Sequence, residues 1–315
     1  MAAPIPIGPW HWAGFILVVL VWVTLDLRLF HRAPRLMKTR EALLWTGVWF
    51  LLAMFFAAGL AQWRGKEESL QFLAGYLVEY SLSLDNLLAI AVIFSAFGVK
   101  AEHQHRVLYW GILGALVMRG VMIGAGAVLL KSFHWLLYLM GLFLIVTGFR
   151  WAFSRPAEAR PLDNPLIRCV RKIFPVSANF EGGRFVIMMD GRRTLTPLAL
   201  VLLAVETTDV IFAVDSIPAV FSVTQDAFIV FTSNIFALLG LRSLYFVLVG
   251  AMKSFRYLRT GLACVLIVVG LKMLAAYWWK LPTMLSLGAV LVIVAVALIC
   301  SIVATKREAK TASPK

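Results

Sequence analysis

The chain has 315 residues, of which 61% are hydrophobic and only 15% charged, against roughly 25% charged in an ordinary soluble domain. With a mean hydropathy of +0.87, this excludes a soluble globular, disordered or fibrous protein, because a soluble core of this length cannot hide so much apolar surface. The net charge of +14 therefore reads as basic loops on the cytoplasmic side of a membrane, not as a nucleic-acid surface.

A spanning helix needs about 20 mostly apolar residues. In chain order nine runs qualify, at roughly 11–29, 42–62, 70–97, 107–130, 134–153, 195–222, 227–250, 260–279 and 282–304. The first has no basic residue before it and no small-residue cleavage site after it, so it reads as a true span and not a signal peptide. Lys and Arg test the alternation. With nine spans, 23 of the 30 fall on one face and 5 on the other, with Arg119 and Arg242 inside spans. That asymmetry predicts a multi-pass protein with its N-terminus outside and its C-terminus in the cytoplasm.

The organisation expected is spans 1–5 over residues 1–153, a cytoplasmic loop at 154–194, spans 6–9 over 195–304 and a cytoplasmic tail at 305–315. Only the long loop has ordinary soluble composition. Within it PLIRCVRKIF, in the segment 164–174, has the pattern of a short basic amphipathic helix at the membrane surface. Residues 184–196 read as two short apolar runs around an Asp190-Gly191 turn signal, a β-hairpin pattern. Cys169, Cys264 and Cys300 are widely spaced, show no metal pattern, and read as structural.

Charges inside a bilayer are costly, so the few present carry the information. Span 3 holds Glu79 and Asp85, with Asn86 beside them; span 6 holds Glu206, Asp209 and Asp215, with Ser216 beside the last. Each acid pair Glu79/Asp85 and Asp209/Asp215 is separated by six residues, and each segment later meets an in-span arginine, Arg119 in ALVMRG and Arg242 in LLGLRS. The matched polar positions read as an internal repeat of spans 3–5 and 6–8. An odd offset of three spans inverts one copy relative to the other, as in secondary transporters whose site lies at the midplane. The fold class expected is thus an all-α integral membrane protein of about nine transmembrane helices with an inverted repeat.

On a straight helix Glu79 and Asn86 share a face, as do Asp209 and Ser216, while Asp85 and Asp215 fall well off those faces. For all the acids to meet, the helices have to break, and Pro218 supplies a reason in span 6 by leaving the Val214 carbonyl without its helical donor. The donor set is carboxylate, amide, hydroxyl and carbonyl oxygen, with no Cys or His beside it. That disfavours Zn²⁺ and Cu⁺ and suits Mn²⁺, Mg²⁺ or Ca²⁺ without choosing among them. The plain alternative is a structural ion network, but two arginines leave an excess of three negative charges over these five acids.

At these residues the chain resembles the TerC family of integral membrane proteins, which carries the tellurite-resistance label and includes Alx-type members. The match lies in EYSLSLDNLLAIAVIFSAFGV (79–99), GILGALVMR (111–119) and ETTDVIFAVDSIPAVFSVTQDAFIVFTSNIFALLGLRSLYF (206–246), with DLRLFHR (26–32) fitting the first span. Tyr80 departs from the pattern, standing where a basic residue is common. The resemblance implies a protein of the bacterial inner membrane linked to Mn²⁺ export, protection from Mn²⁺ toxicity, and metal supply to secreted enzymes. The expected function is Mn²⁺ efflux by alternating access, with Mn²⁺ as substrate and no tightly bound cofactor. Glu79, Asp85, Asn86, Glu206, Asp209 and Asp215 are the expected metal residues, completed by backbone near Val214–Ser216, with Arg119 and Arg242 balancing charge. Proton entry is the expected coupling. The alternative is a membrane platform that hands Mn²⁺ to translocated partners such as secreted enzymes or the secretion machinery. An enzyme is not expected, since GxGD and DDxxD are both missing from the sequence. The expected partners are a divalent cation and the lipid bilayer, not nucleic acid.

Overall fold

Apolar sequence in lipid must satisfy its backbone internally, and helices do so within one segment. The computed structural model describes residues 7–30, 39–133, 135–153, 165–189, 191–251, 257–275 and 282–311. Its helices are α1 (Pro9–Phe30), α2 (Thr39–Trp63), α3 (Lys66–Ala96), α4 (Ala101–Ser132), α5 (Leu136–Phe153), α6 (Pro165–Ile173), α7 (Pro197–Phe221), α8 (Ala227–Ala251), α9 (Leu258–Ala275) and α10 (Thr283–Thr311). Every apolar run falls on one of the nine long helices among these. Seven, namely α2 to α5, α7, α8 and α10, are long and apolar enough to cross a membrane; Pro9–Trp22 of α1 and Thr260–Ala275 of α9 are shorter apolar stretches. The protein is an all-α membrane protein. Residues 154–164 of the expected loop, 276–279 of the eighth run and the end of the tail lie outside the described residues.

Sequence composition separates interior from periphery. In α8, 83% of the apolar window is buried within the protein, and in α3 61%, whereas in α10 only 11% is. The polar side chains Glu79, Asn86, Ser233, Asn234 and Arg242 sit on these two interior helices and are buried there, as expected when lipid cannot solvate them. Around them α3 packs on α7 and α8, α4 packs on α7 and α8, and α5 packs on α9. An aromatic layer of Phe15, Phe56, Phe72, Phe228 and Phe236 ties α1 and α2 to α3 and α8.

Small residues set how close the helices come, as is usual where lipid offers no hydrophobic drive. A Cβ on Gly270 of α9 would lie 2.6 Å from the Gly141 carbonyl oxygen of α5, and one on Gly148 would lie 2.8 Å from the Ala263 carbonyl oxygen. These contacts run α5 and α9 antiparallel. Gly111 meets Val205 and Gly126 meets Phe221, so α4 and α7 run parallel, and Gly75 with Ser233 and Gly240 with Tyr80 do the same for α3 and α8.

Asp226 begins α8: its Oδ1 accepts from the Phe228 amide at 2.9 Å, a side-chain N-cap, while its Oδ2 accepts from Arg64 at 2.7 Å. Between α6 and α7 the strands β1 (Val186–Met189) and β2 (Arg192–Leu195) pair antiparallel, Val186 opposite Leu195 and Met189 opposite Arg192. Gly191 in the two-residue connection has φ 72, the left-handed geometry a tight hairpin requires; Asp190 lies outside the described residues.

Candidate functional site

Four helices converge on one guanidinium. Arg119 of α4 is fully buried. Its Nη2 and Nε donate to the two carboxylate oxygens of Asp209 on α7, at 3.0 and 3.2 Å, a bidentate fork. Its Nη1 donates to Glu79 Oε1 of α3 and approaches Asn234 Oδ1 of α8 at 3.5 Å. Glu79 is completely buried and the Asp209 side chain is 12% exposed. Two carboxylates against one guanidinium leave the group one negative charge in excess. Charges removed from water hold together only through such pairing, and an unpaired one costs several kcal/mol.

Two atoms of the cluster, Glu79 Oε2 and Asn234 Nδ2, are buried with no hydrogen-bond partner among the described residues, and so are Ser83 Oγ of α3 and Ser216 Oγ of α7. Helical spacing puts Ser83 on the Glu79 face, one turn on, and Ser216 on the Asp209 face, two turns on. Three of these four atoms are oxygens that a hard cation accepts as ligands. Buried polar side-chain atoms without a protein partner are rare in folded proteins.

The other expected residues divide. Glu206 sits one turn before Asp209, and its carboxylate rests on Gly114 of α4, where a Cβ would have to displace it. Asn86 and Arg242 are buried, at 4% and 6% exposure, and Asp85 is half-buried. Asp215 faces elsewhere: Thr147 of α5 donates a hydrogen bond to it, and Arg150 lies nearby.

The helix breaks expected from the sequence do not form. α3 is continuous from Lys66 to Ala96, and α7 from Pro197 to Phe221 with Pro218 inside it. Pro218 lies in the last turn, and the Ser222 amide still bonds to its carbonyl at 3.0 Å, so the missing donor is absorbed near the helix end. The backbone at Val214–Ser216 is accordingly helical. Unbroken helices turn about 100° per residue, so Asp85 and Asp215 stand off the faces that carry Glu79 and Asp209. Among the described residues no three His, Cys, Asp or Glu side chains converge, and Arg119 lies between the acids of α3 and α7.

Sequence reasoning missed Asn234, Ser83 and Thr147. An asparagine in the apolar run FTSNIF is itself a signal, because an amide in a span seeks an interior partner. Nothing local distinguishes Ser83 or Thr147 from serines and threonines that bond back to their own helix, as Ser81 and Thr208 do.

Residues 64–309 match the model of the integral membrane protein TerC family. An uncharacterized membrane protein of Myxococcus xanthus is 47% identical over 299 residues, covering 95% of this chain and 94% of that protein. A protein of Photorhabdus laumondii, named as a proposed membrane-bound redox modulator, Alx, is 42% identical over 312 residues, covering 96% and 97%. The Escherichia coli K12 protein of the same name is 42% identical over 291 residues, covering 90% and 91%. No solved structure matches.

Proposed function

The chain belongs to the TerC family of integral membrane proteins, and on that premise we propose that it exports divalent cations, foremost Mn²⁺, across the bacterial cytoplasmic membrane by alternating access. The observation that carries the reading is the buried Arg119 cluster, in which Glu79 and Asp209 share one guanidinium and Glu79 Oε2 has no hydrogen-bond partner among the described residues, with two further unpaired buried hydroxyls, Ser83 and Ser216, on the same helices α3 and α7. Such a set suits a hard divalent ion. The crossed packing also fits an inverted repeat, with α3 on α8, α4 on α7 and α5 on α9. The 23-to-5 distribution of Lys and Arg favours a cytoplasmic C-terminus.

In this reading Arg119 is a tethered counter-ion. It offsets one of the two negative charges of Glu79 and Asp209 when no metal is bound, and it yields to a cation arriving from the cytoplasm. Glu206, within one turn of Asp209, joins as a further ligand or takes a proton. Rocking of the α3–α5 triplet against α7–α9 opens the site outward, and protonation of the carboxylates releases the ion. Asp85, Asp215 and Arg242 act outside the Arg119 cluster, in the helix contacts that change during rocking.

The test is Mn²⁺ flux in proteoliposomes, with and without a pH gradient, for wild type, Asp209→Asn and Glu79→Gln. Flux in wild type that both substitutions abolish, in protein that still elutes as a folded species, supports export through this cluster. Flux untouched by either substitution refutes the site. Absence of flux in wild type, with Mn²⁺ still bound, favours a platform that delivers metal to translocated partners.

A further inference from the structure

The described residues between α5 and α7, 165–189 and 191–196, expose apolar side chains that the helix bundle does not cover. α6 buries Ile167 completely against the protein, yet Leu166, Ile173 and Phe174 at its ends remain 43% to 66% exposed. The hairpin adds Val186, Met188 and Met189, each 49% to 70% exposed. The two pieces form one unit. The Leu195 amide of β2 donates to the Pro175 carbonyl at 2.9 Å, and the Ser177 amide donates to the Leu195 carbonyl at 2.8 Å. The unit is also fixed to the bundle. The Thr196 hydroxyl donates to the Arg184 carbonyl at 2.6 Å at the start of α7, and Arg106 of α4 lies over the Phe185 ring at 5.4 Å.

Its charge is strongly one-sided. Residues 165–196 contain six basic and two acidic side chains, and Arg171, Lys172, Arg192 and Arg193 are all exposed. On α6, successive turns set Leu166 and Ile173 together on one side and Arg168 and Lys172 on another. Exposed apolar side chains beside exposed cations on one short amphipathic helix are the pattern of an interfacial helix on an anionic bilayer. The position agrees, because α6 packs on α7 and β2 leads through Thr196 into the first residue of α7, Pro197, where an apolar span begins.

We propose that α6 and the β1–β2 hairpin form a binding surface for anionic phospholipid, with Leu166, Ile173 and Phe174 entering the acyl boundary and Arg171 and Lys172 meeting the headgroups. Charge complementarity selects this occupant. A second copy of the chain would bring the same positive charge against itself, and a neutral bilayer would leave the basic rim unmatched.

Cys169 lies on the exposed side of α6 and serves as the reporter. In full-length protein carrying Cys264→Ala and Cys300→Ala, Cys169 is labelled with an environment-sensitive nitrobenzoxadiazole dye. The protein is then reconstituted in vesicles of phosphatidylcholine alone or mixed with phosphatidylglycerol, each doped with spin-labelled lipid. The expected result is quenching that is strong with phosphatidylglycerol and weak without it. High salt should reduce it, since screening weakens exposed charge contacts. Arg171→Gln with Lys172→Gln should bring it to the phosphatidylcholine level. Equal quenching in both vesicles, unmoved by salt, overturns the proposal, as does the absence of quenching in either. Oxidative Cys169–Cys169 crosslinking between copies in phosphatidylglycerol vesicles also overturns it, by placing a second chain on the surface. The salt series needs no substitution in the surface itself, so it decides the matter even if the double variant fails to fold.

Discussion

On α7, Asp209 is gripped by the Arg119 fork of α4, while Asp215, six residues on, takes a hydrogen bond from Thr147 of α5. Both are aspartates in the same span, yet one belongs to a four-helix ion cluster and the other to the contact between α5 and α7. The difference teaches that an unbroken helix sorts its charges by angle. Six residues turn the chain well past half a circle, so the two acids address different neighbours. They come together only if the helix itself changes.

The strongest way to break the comparison is to remove Arg119. Arg119→Met strands Glu79 and Asp209 as buried unpaired charges and should cost about 3–5 kcal/mol, read as a lowered unfolding temperature in detergent. Adding Glu79→Gln and Asp209→Asn should recover most of that loss. An Arg119→Met protein as stable as wild type would mean that the cluster does not hold the four helices.

On the Asp215 side, the close crossing of α5 and α9 is the sensitive element. Gly270→Leu has no room against the Gly141 carbonyl and should cost about 1–3 kcal/mol by overpacking. The loss should appear in thermal unfolding while the Arg119–Asp209 interaction persists. Vanishing of that interaction in the Gly270→Leu background would show that the two regions are one unit.

Double-mutant cycles sharpen the separation. Arg119→Lys with Asp209→Asn should be non-additive by about 0.5–3 kcal/mol, whereas Arg119→Lys with Asp215→Asn should add within roughly 0.5 kcal/mol. Equal coupling for both pairs would contradict the angular sorting. The smallest effect belongs to Thr147→Val, which deletes one interhelical hydrogen bond worth about 0.6 kcal/mol in a bilayer. It should leave intact the Mn²⁺ binding proposed for the Arg119 cluster, read in a titration of the purified protein, and a marked loss of binding would join Asp215 to that site.

Much of the architecture was legible because lipid makes hydropathy nearly sufficient. Each apolar run falls on a long helix, and the two interior helices are ones whose sequences carry in-span acids, amides and an arginine. The weight given to Glu79, Asp209 and Arg119 came from the cost of charge in hydrocarbon, and these three do meet. Placing Asp85 and Asp215 in the same site requires broken helices. Pro218 is the one sequence signal for a break, but a proline in a final turn costs little continuity, and α7 is continuous through it. Asn234 was overlooked because no charge marked it.

By itself the sequence determined what its chemistry forces locally: helices where apolar residues persist, interior positions for side chains that lipid cannot solvate, and a hairpin where Gly191 permits a positive φ. Only the tertiary structure decided which acid meets which arginine. That choice depends on the relative rotation and crossing of α3, α4, α7 and α8, set by contacts such as Gly114 beneath Glu206 and Gly75 against Ser233. These are distances between residues far apart in the chain, fixed by close packing of small side chains, and no periodicity within one segment encodes them.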